Sequence, residues 1–284
     1  MTAPVDSPVK TVEKRPSSPE RAFSYGPMAY LRRYGAVGLV AVNLTVFFIL
    51  WELFANAEIV NPLFLPAPSA MFAEMFQELG PEGLLRVNIP ISARTFAVGM
   101  GAAALIGIPV GLLMGASKVV DSLISPYVWA MASLPRVALM PLLILILGFT
   151  QTARLTLVFL SAVFPIVINC MAGVKTVDTS LVRAGQVFGA NKAQLYRRVI
   201  FPFTLPFIIA GLQQGMTRGL VGLVIAEIFG GNNGLGYLTK RAAETFNSPL
   251  LYAVLLILVI FSLSFVQIIK WIEIKVAPWR SYGR

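Results

Sequence analysis

RAGQVFGANKAQLYRRVIFPFTLP, residues 183–206, is the longest polar, helix-compatible run between strongly apolar segments of this chain. Within it Ala184, Val187, Phe188, Leu195 and Val199 recur at three-, four- and seven-residue steps, which predicts one apolar helical face. Arg183, Gln186, Lys192, Gln194, Arg197 and Arg198 supply the polar remainder. Gly189 interrupts the pattern and favours a turn between two short helices. Pro202 and Pro206 then open an apolar segment, where a missing amide donor is tolerated. Such an amphipathic hairpin either lies on a bilayer surface or serves as a lever that docks into a soluble partner.

The surroundings of this run are those of a membrane protein. Of 284 residues, 57% are hydrophobic and 13% charged, too little polar surface to cover a soluble core of that size. The net charge of +10 is not a nucleic-acid signature, because the basic residues flank apolar spans and read as topological determinants and anionic-lipid contacts. One cysteine, Cys170, in an apolar run excludes a disulfide framework. With no histidine in the chain, the usual transition-metal sites and Ser-His or Cys-His catalysis are excluded too. No catalytic residue, metal site or enzyme activity is expected.

Reading outward, residues 1–33 are rich in Pro, Ser and charge and fit no cleavable signal; a disordered cytoplasmic tail is expected, followed by a membrane domain over 34–284. Ala36–Phe54 is the first expected span, with Glu52 near its far end. At about 1.5 Å per residue it just crosses a hydrocarbon core of about 30 Å. Met71–Leu79 is expected as a short interfacial helix. The second span is expected from Arg94 to Gly115, where Gly107, Gly111 and Gly115 fall four apart and predict a groove for a neighbouring helix. The third, Ser122–Leu147, is interrupted by Pro126, Pro135 and Pro141. The fourth covers Leu155–Met171, the fifth Phe203–Ile228 and the sixth Leu250–Ile272. The fold class expected is therefore all-α: a polytopic membrane protein of six transmembrane helices. Counting Lys and Arg, 16 of 23 fall on the side that holds both termini and the hairpin, which predicts that side to be cytoplasmic.

Three ionisable side chains lie inside apolar segments: Arg136, Arg218 and Glu227. Such charges are costly in hydrocarbon and face a partner, a wet path or an interface. Glu227, near a span end, is expected to snorkel. Arg218 is one turn beyond Gln214 on the same helical face, and Arg136 follows a bending proline. Arg136, Gln214 and Arg218 are the translocation-path candidates. Asn169 is expected as an interhelical hydrogen bond.

The spacing of residues 183–202 resembles the cytoplasmic loop signature of bacterial ABC importer permeases, Glu-Ala-Ala-x3-Gly-x9-Ile-x-Leu-Pro. Arg183, Ala184 and Gly185 stand at the Glu-Ala-Ala positions, and Gly189, Val199, Phe201 and Pro202 follow at matching intervals. The departures are Arg for Glu, Gly for the second Ala, and Phe for Leu. LPRVALMPLLILILG (134–148) and the loop GGNNGLGYL (230–238) are similar to segments of the nitrate, sulfonate and taurine branch. The likeness spans Leu65 to Arg280. It implies the type I importer permease fold, with the loop at about 174–202 coupling to a separate ATPase through Arg183, Ala184, Gly185, Val187, Phe188, Gly189, Leu195, Val199, Phe201 and Pro202. It further implies a multi-pass protein of the bacterial cytoplasmic membrane, a homodimer, two ABC ATPase subunits and an extracytoplasmic solute-binding protein. The solute expected is small and anionic. ATP and Mg belong to the partner, since the glycine-rich loop has no P-loop lysine and no ATPase motif occurs elsewhere. The rival reading is an ion-gradient-driven secondary transporter or channel, for which internal repeats are the usual sign; no such repeat is found. A structural membrane protein is the third.

Overall fold

The computed structural model describes residues 28–57 and 59–276. The expected disorder of residues 1–27 and the closing Pro278-Trp279-Arg280 lie outside the described residues. Contacts divide the chain into two units, residues 1–50 and 51–284. The described part of the first belongs to helix α1 (Met28–Asn56), which starts inside the expected tail. Its apolar side chains, Leu39, Val42 and Phe47 among them, are exposed.

The second unit holds the end of α1, where Glu52 accepts hydrogen bonds from Ser69 N at 3.0 Å and Ser69 Oγ at 2.7 Å. Ser69 lies in the first turn of α2 (Pro68–Glu78), the expected short helix. The next helix, α3 (Leu84–Ala116), begins well before the expected start at Arg94. The added turns are polar in sequence, yet their polar groups are employed. Asn88 and Ser92 are buried and bonded to a loop near the chain's other end.

The expected third span is two helices, α4 (Lys118–Ser133) and α5 (Leu139–Leu147), with a single 3-10 turn, Arg136–Ala138, before the second. The two limbs are bent by 87°. Of the three prolines only Pro135 sits at the break. Pro126 lies inside α4, and Pro141 falls in the first turn of α5, where no helical amide bond is lost.

Helix α6 (Gln151–Lys175), capped by Thr150 Oγ1, is the axis of the unit. Its residues Leu157, Ile166 and Cys170 are wholly buried. One side receives the glycines of α3: a methyl on Gly107 would meet Ile166, on Gly111 Val167 O and Cys170, and on Gly115 Val174. The other side receives a second glycine row, Gly211, Gly215, Gly219 and Gly222 of α9 (Phe201–Gly230). Small residues let the three backbones approach closely, which replaces hydrophobic driving force by dispersion contact in a lipid setting.

Between α6 and α9 come α7 (Thr179–Val187), α8 (Lys192–Leu195) and one π turn, Tyr196–Ile200. After α9 follow α10 (Leu235–Glu244) and α11 (Ser248–Val276). Among the described residues five helices are long and apolar enough to cross a membrane, and a sixth crossing exists if the bent α4–α5 pair is one span. This is the all-α, six-span architecture expected.

Candidate functional site

The hairpin is built by its caps. Asp178 accepts from Ser180 N at 2.8 Å and starts α7; that bond holds its carboxyl below the usual range. Asn191 and Gln194 form a reciprocal capping box at 2.9 Å each way and start α8. Between the helices Gly189 takes φ 78°, a conformation that suits glycine. The reversal breaks the single apolar face expected from periodicity. Leu195 is 6% exposed and lies over Gly185, where a methyl would collide with its Cδ2; the smaller residue at 185 makes room for it. Val199 is half-buried in the π turn, Pro202 half-buried and Phe201 exposed at the start of α9.

What remains outward is one side of α7. Val187 is 85% and Phe188 89% exposed, and Leu181, Arg183 and Ala184 are exposed beside them. Leu181 was not singled out from sequence, although it precedes Ala184 by three residues, the spacing of one helical face. Lys192, Arg197 and Arg198 are exposed as well. At the base of the hairpin the Tyr196 hydroxyl donates to Leu112 O at 3.2 Å, tying it to α3.

Arg136, Gln214 and Arg218, distant in sequence, meet at one cavity of about 210 Å³. Trp129, Ser133 and Asn169 complete the polar part of its wall. Arg136 is half-buried, with Nη2 donating to Ala132 O at 2.9 Å and Nε buried with no partner. Gln214 and Arg218 are exposed, so the cavity has an open side. Asn169 Nδ2 donates to Pro165 O at 2.8 Å and to Gln214 Oε1 at 3.2 Å, the interhelical bond expected of it. Trp129 and Ser133, both exposed, escaped the sequence reading because nothing in an apolar run shows that the break at Pro135 sets them on the wall of a cavity.

Glu227 is not a snorkelling residue. It is wholly buried at the end of α9 opposite the hairpin. Ser92 Oγ donates to its Oε1 at 2.7 Å and Gly236 N to its Oε2 at 2.8 Å. Ser92 Oγ in turn accepts from Leu235 N at 2.8 Å, and Asn88 Oδ1 accepts from Gly234 N. Glu227, Ser92 and Asn88 thus each satisfy one of the amides at the start of α10, Gly236, Leu235 and Gly234 in turn. Arg154, also buried, holds the same loop by donating to Asn233 Oδ1 at 2.6 Å. The glycine-rich segment is a clamped start of a helix.

Among the described residues no cluster of His, Cys, Asp and Glu could hold a metal ion. The two assemblies therefore define a membrane protein with a projecting, apolar-tipped hairpin at one end and a cationic cavity among its helices. The chain belongs to the family described as binding-protein-dependent transport system inner membrane components, which matches residues 107–278. It is 30% identical over 248 residues to the taurine transport system permease protein TauC of Escherichia coli, covering 86% of this chain and 89% of that protein. It is 27% identical over 249 residues to the nitrate import permease protein NrtB of Synechocystis, covering 84% and 88%. A chain of the MetNI methionine ABC transporter, solved in an inward-facing conformation, superposes with a TM-score of 0.58 at 21% identity. That match covers 71% of this chain and 97% of the other, and it shows the fold. The chain is an ABC importer permease of the taurine, sulfonate and nitrate branch, a multi-pass membrane protein.

Proposed function

We propose that this permease works as a homodimer driven by two ABC ATPase subunits, which bind the ATP and Mg, and supplied with solute by an extracytoplasmic binding protein. The observation that carries the reading is the tip of α7. Two large apolar side chains, Val187 and Phe188, stand almost fully exposed on a hairpin too short to form a core of its own. An exposed apolar tip of this kind marks an interaction surface, and aromatic anchors in a partner pocket dominate binding. Clamping of the hairpin by the ATPase passes a rigid-body movement through Tyr196 and the start of α9 to the helices around the cavity. The charge asymmetry puts the hairpin and both termini in the cytoplasm, and the solute route runs past Arg136, Gln214 and Arg218. The cationic wall favours a small anionic solute, in keeping with the relatives named for taurine and nitrate.

The test is purification of the chain from its native membrane. An ATPase subunit should co-elute in equal number with the permease. A stable permease oligomer that co-elutes with no nucleotide-hydrolysing partner would refute the reading and return the case to a gradient-driven transporter.

A further inference from the structure

We infer that the π turn Tyr196–Ile200 is a hinge between the hairpin and α9, and that the Tyr196 hydroxyl is the positioning group that closes it. With the hinge closed, movement of the hairpin reaches α3 and α9 instead of being absorbed in the turn. The inference rests on the reading of the hairpin as the part that an ATPase moves.

The hinge follows from one proline. Pro202 has no N–H to give Arg198 O, its α-helical acceptor, and in a continuous α-helix its ring would press on that carbonyl. The chain widens instead: Phe201 N donates to Tyr196 O, five residues back. Ile200 O accepts from the Thr204 hydroxyl at 2.7 Å, a side-chain bond of the kind that bends helices. Prolines and π turns are the places where helices bend, and single π turns collect at functional positions.

Both neighbours of the turn are held. Thr204, just beyond it, is buried, and a methyl on Gly173 of α6 would meet Thr204 and Phe207. The end of α3 is held to the same helix through Gly111 and Gly115. The hairpin stands outside this block. It is entered from α6 through residues 176–178, which lie outside any helix, and it leaves through the π turn. Tyr196 Oη donates to Leu112 O at 3.2 Å. Among the described residues no other side-chain hydrogen bond, and no ion pair, joins residues 179–200 to a helix beyond the hairpin and α9. With that bond made, hairpin, α3 and α9 move as one body. With it broken, the hairpin turns on its two legs and the block stays in place. These contacts lie within one protomer and stand whatever a second copy covers.

The experiment uses the permease with its co-eluting ATPase in phosphatidylcholine nanodiscs. Backbone amide exchange is measured without nucleotide and after trapping with ATP, Mg and vanadate. In the native chain, trapping should change exchange in the hairpin, residues 179–195, and in the loop past the far end of α9, residues 230–238. Residues 197–201 should change little. Tyr196→Phe keeps the ring and removes the hydroxyl, so the ATPase should co-elute and the hairpin respond as before. The response at 230–238 should be lost. Residues 197–201 should now respond, exchanging faster by up to about tenfold for one missing hydrogen bond. Tyr252→Phe is the matched control, since its hydroxyl donates to another backbone carbonyl, Phe64 O at 3.1 Å, away from this route; it should leave the far response intact. A far response undiminished in Tyr196→Phe, absent from the native chain, or lost equally in Tyr252→Phe would overturn the inference. So would a Tyr196→Phe hairpin that no longer responds, because Tyr196 would then serve docking. ATPase co-elution reports the underlying reading separately: where it persists with any of these results the hinge alone falls, and where no ATPase co-elutes both fall.

Discussion

Arg183 and Glu227 show how much one side chain can decide. Arg183 reverses the charge of the resembled loop signature, and it stands exposed beside Phe188 with Lys192, Arg197 and Arg198 exposed on the same hairpin. A partner surface that accepts this hairpin should carry a compensating acid. Arg183→Glu should therefore weaken co-purification of the ATPase; tighter association of the variant would show that no such acid exists. Glu227 is buried with two protein donors on its oxygens. Glu227→Ala leaves Ser92 Oγ and Gly236 N without that acceptor, at about 1–3 kcal/mol for each unsatisfied group. The expected result is a lower unfolding temperature in detergent, with looser packing of α10 seen as faster proteolysis at residues 230–238. Unchanged stability would mean that Asn88 and Ser92 hold the loop unaided. Glu227 was misread from sequence for a physical reason. Its helix position placed it near an interface, but its three-dimensional neighbours, Ser92 and Gly236, come from elements whose approach no linear pattern reveals.

At the scale of elements, the helices were legible because apolar length is a strong signal, and the glycine row of α3 because four-residue spacing maps onto one face. The row at Gly211, Gly215 and Gly219 carried the same signal and was passed over. The start of α3 was misplaced since Asn88 and Ser92 look like loop residues until their partners are known. The hairpin was legible up to Gly189 and no further, because a positive φ there resets which residues share a face. Packing by glycine makes a sharp prediction. A side chain at Gly111 would run into Val167 O and Cys170, whereas at Gly101 nothing lies within 4 Å. Gly111→Leu should destabilise by at least the roughly 1–3 kcal/mol typical of overpacking and lower the yield of folded protein. Gly101→Leu should be tolerated. Equal behaviour of the two would contradict close approach of α3 and α6.

For the whole molecule, the cavity and the hairpin lie on one mechanical route, α9 leading from the π turn behind the hairpin to Gln214 and Arg218. The cavity itself was only half legible. Arg136, Gln214 and Arg218 announced themselves as polar groups in apolar runs, but their meeting depends on the 87° bend at Pro135, which sequence marks without giving its direction. The central claim is that ATP hydrolysis on a partner drives solute past this cavity through the hairpin. Its most direct test is solute uptake by vesicles holding the reconstituted complex, loaded or not with ATP, for the native chain and for Phe188→Asp. Uptake should require ATP, persist when ionophores collapse every ion gradient, and fall with Phe188→Asp, which removes an anchor worth about 2 kcal/mol or more, roughly thirtyfold in affinity. Uptake that runs without ATP on an ion gradient, or that is undiminished by Phe188→Asp, would contradict the account.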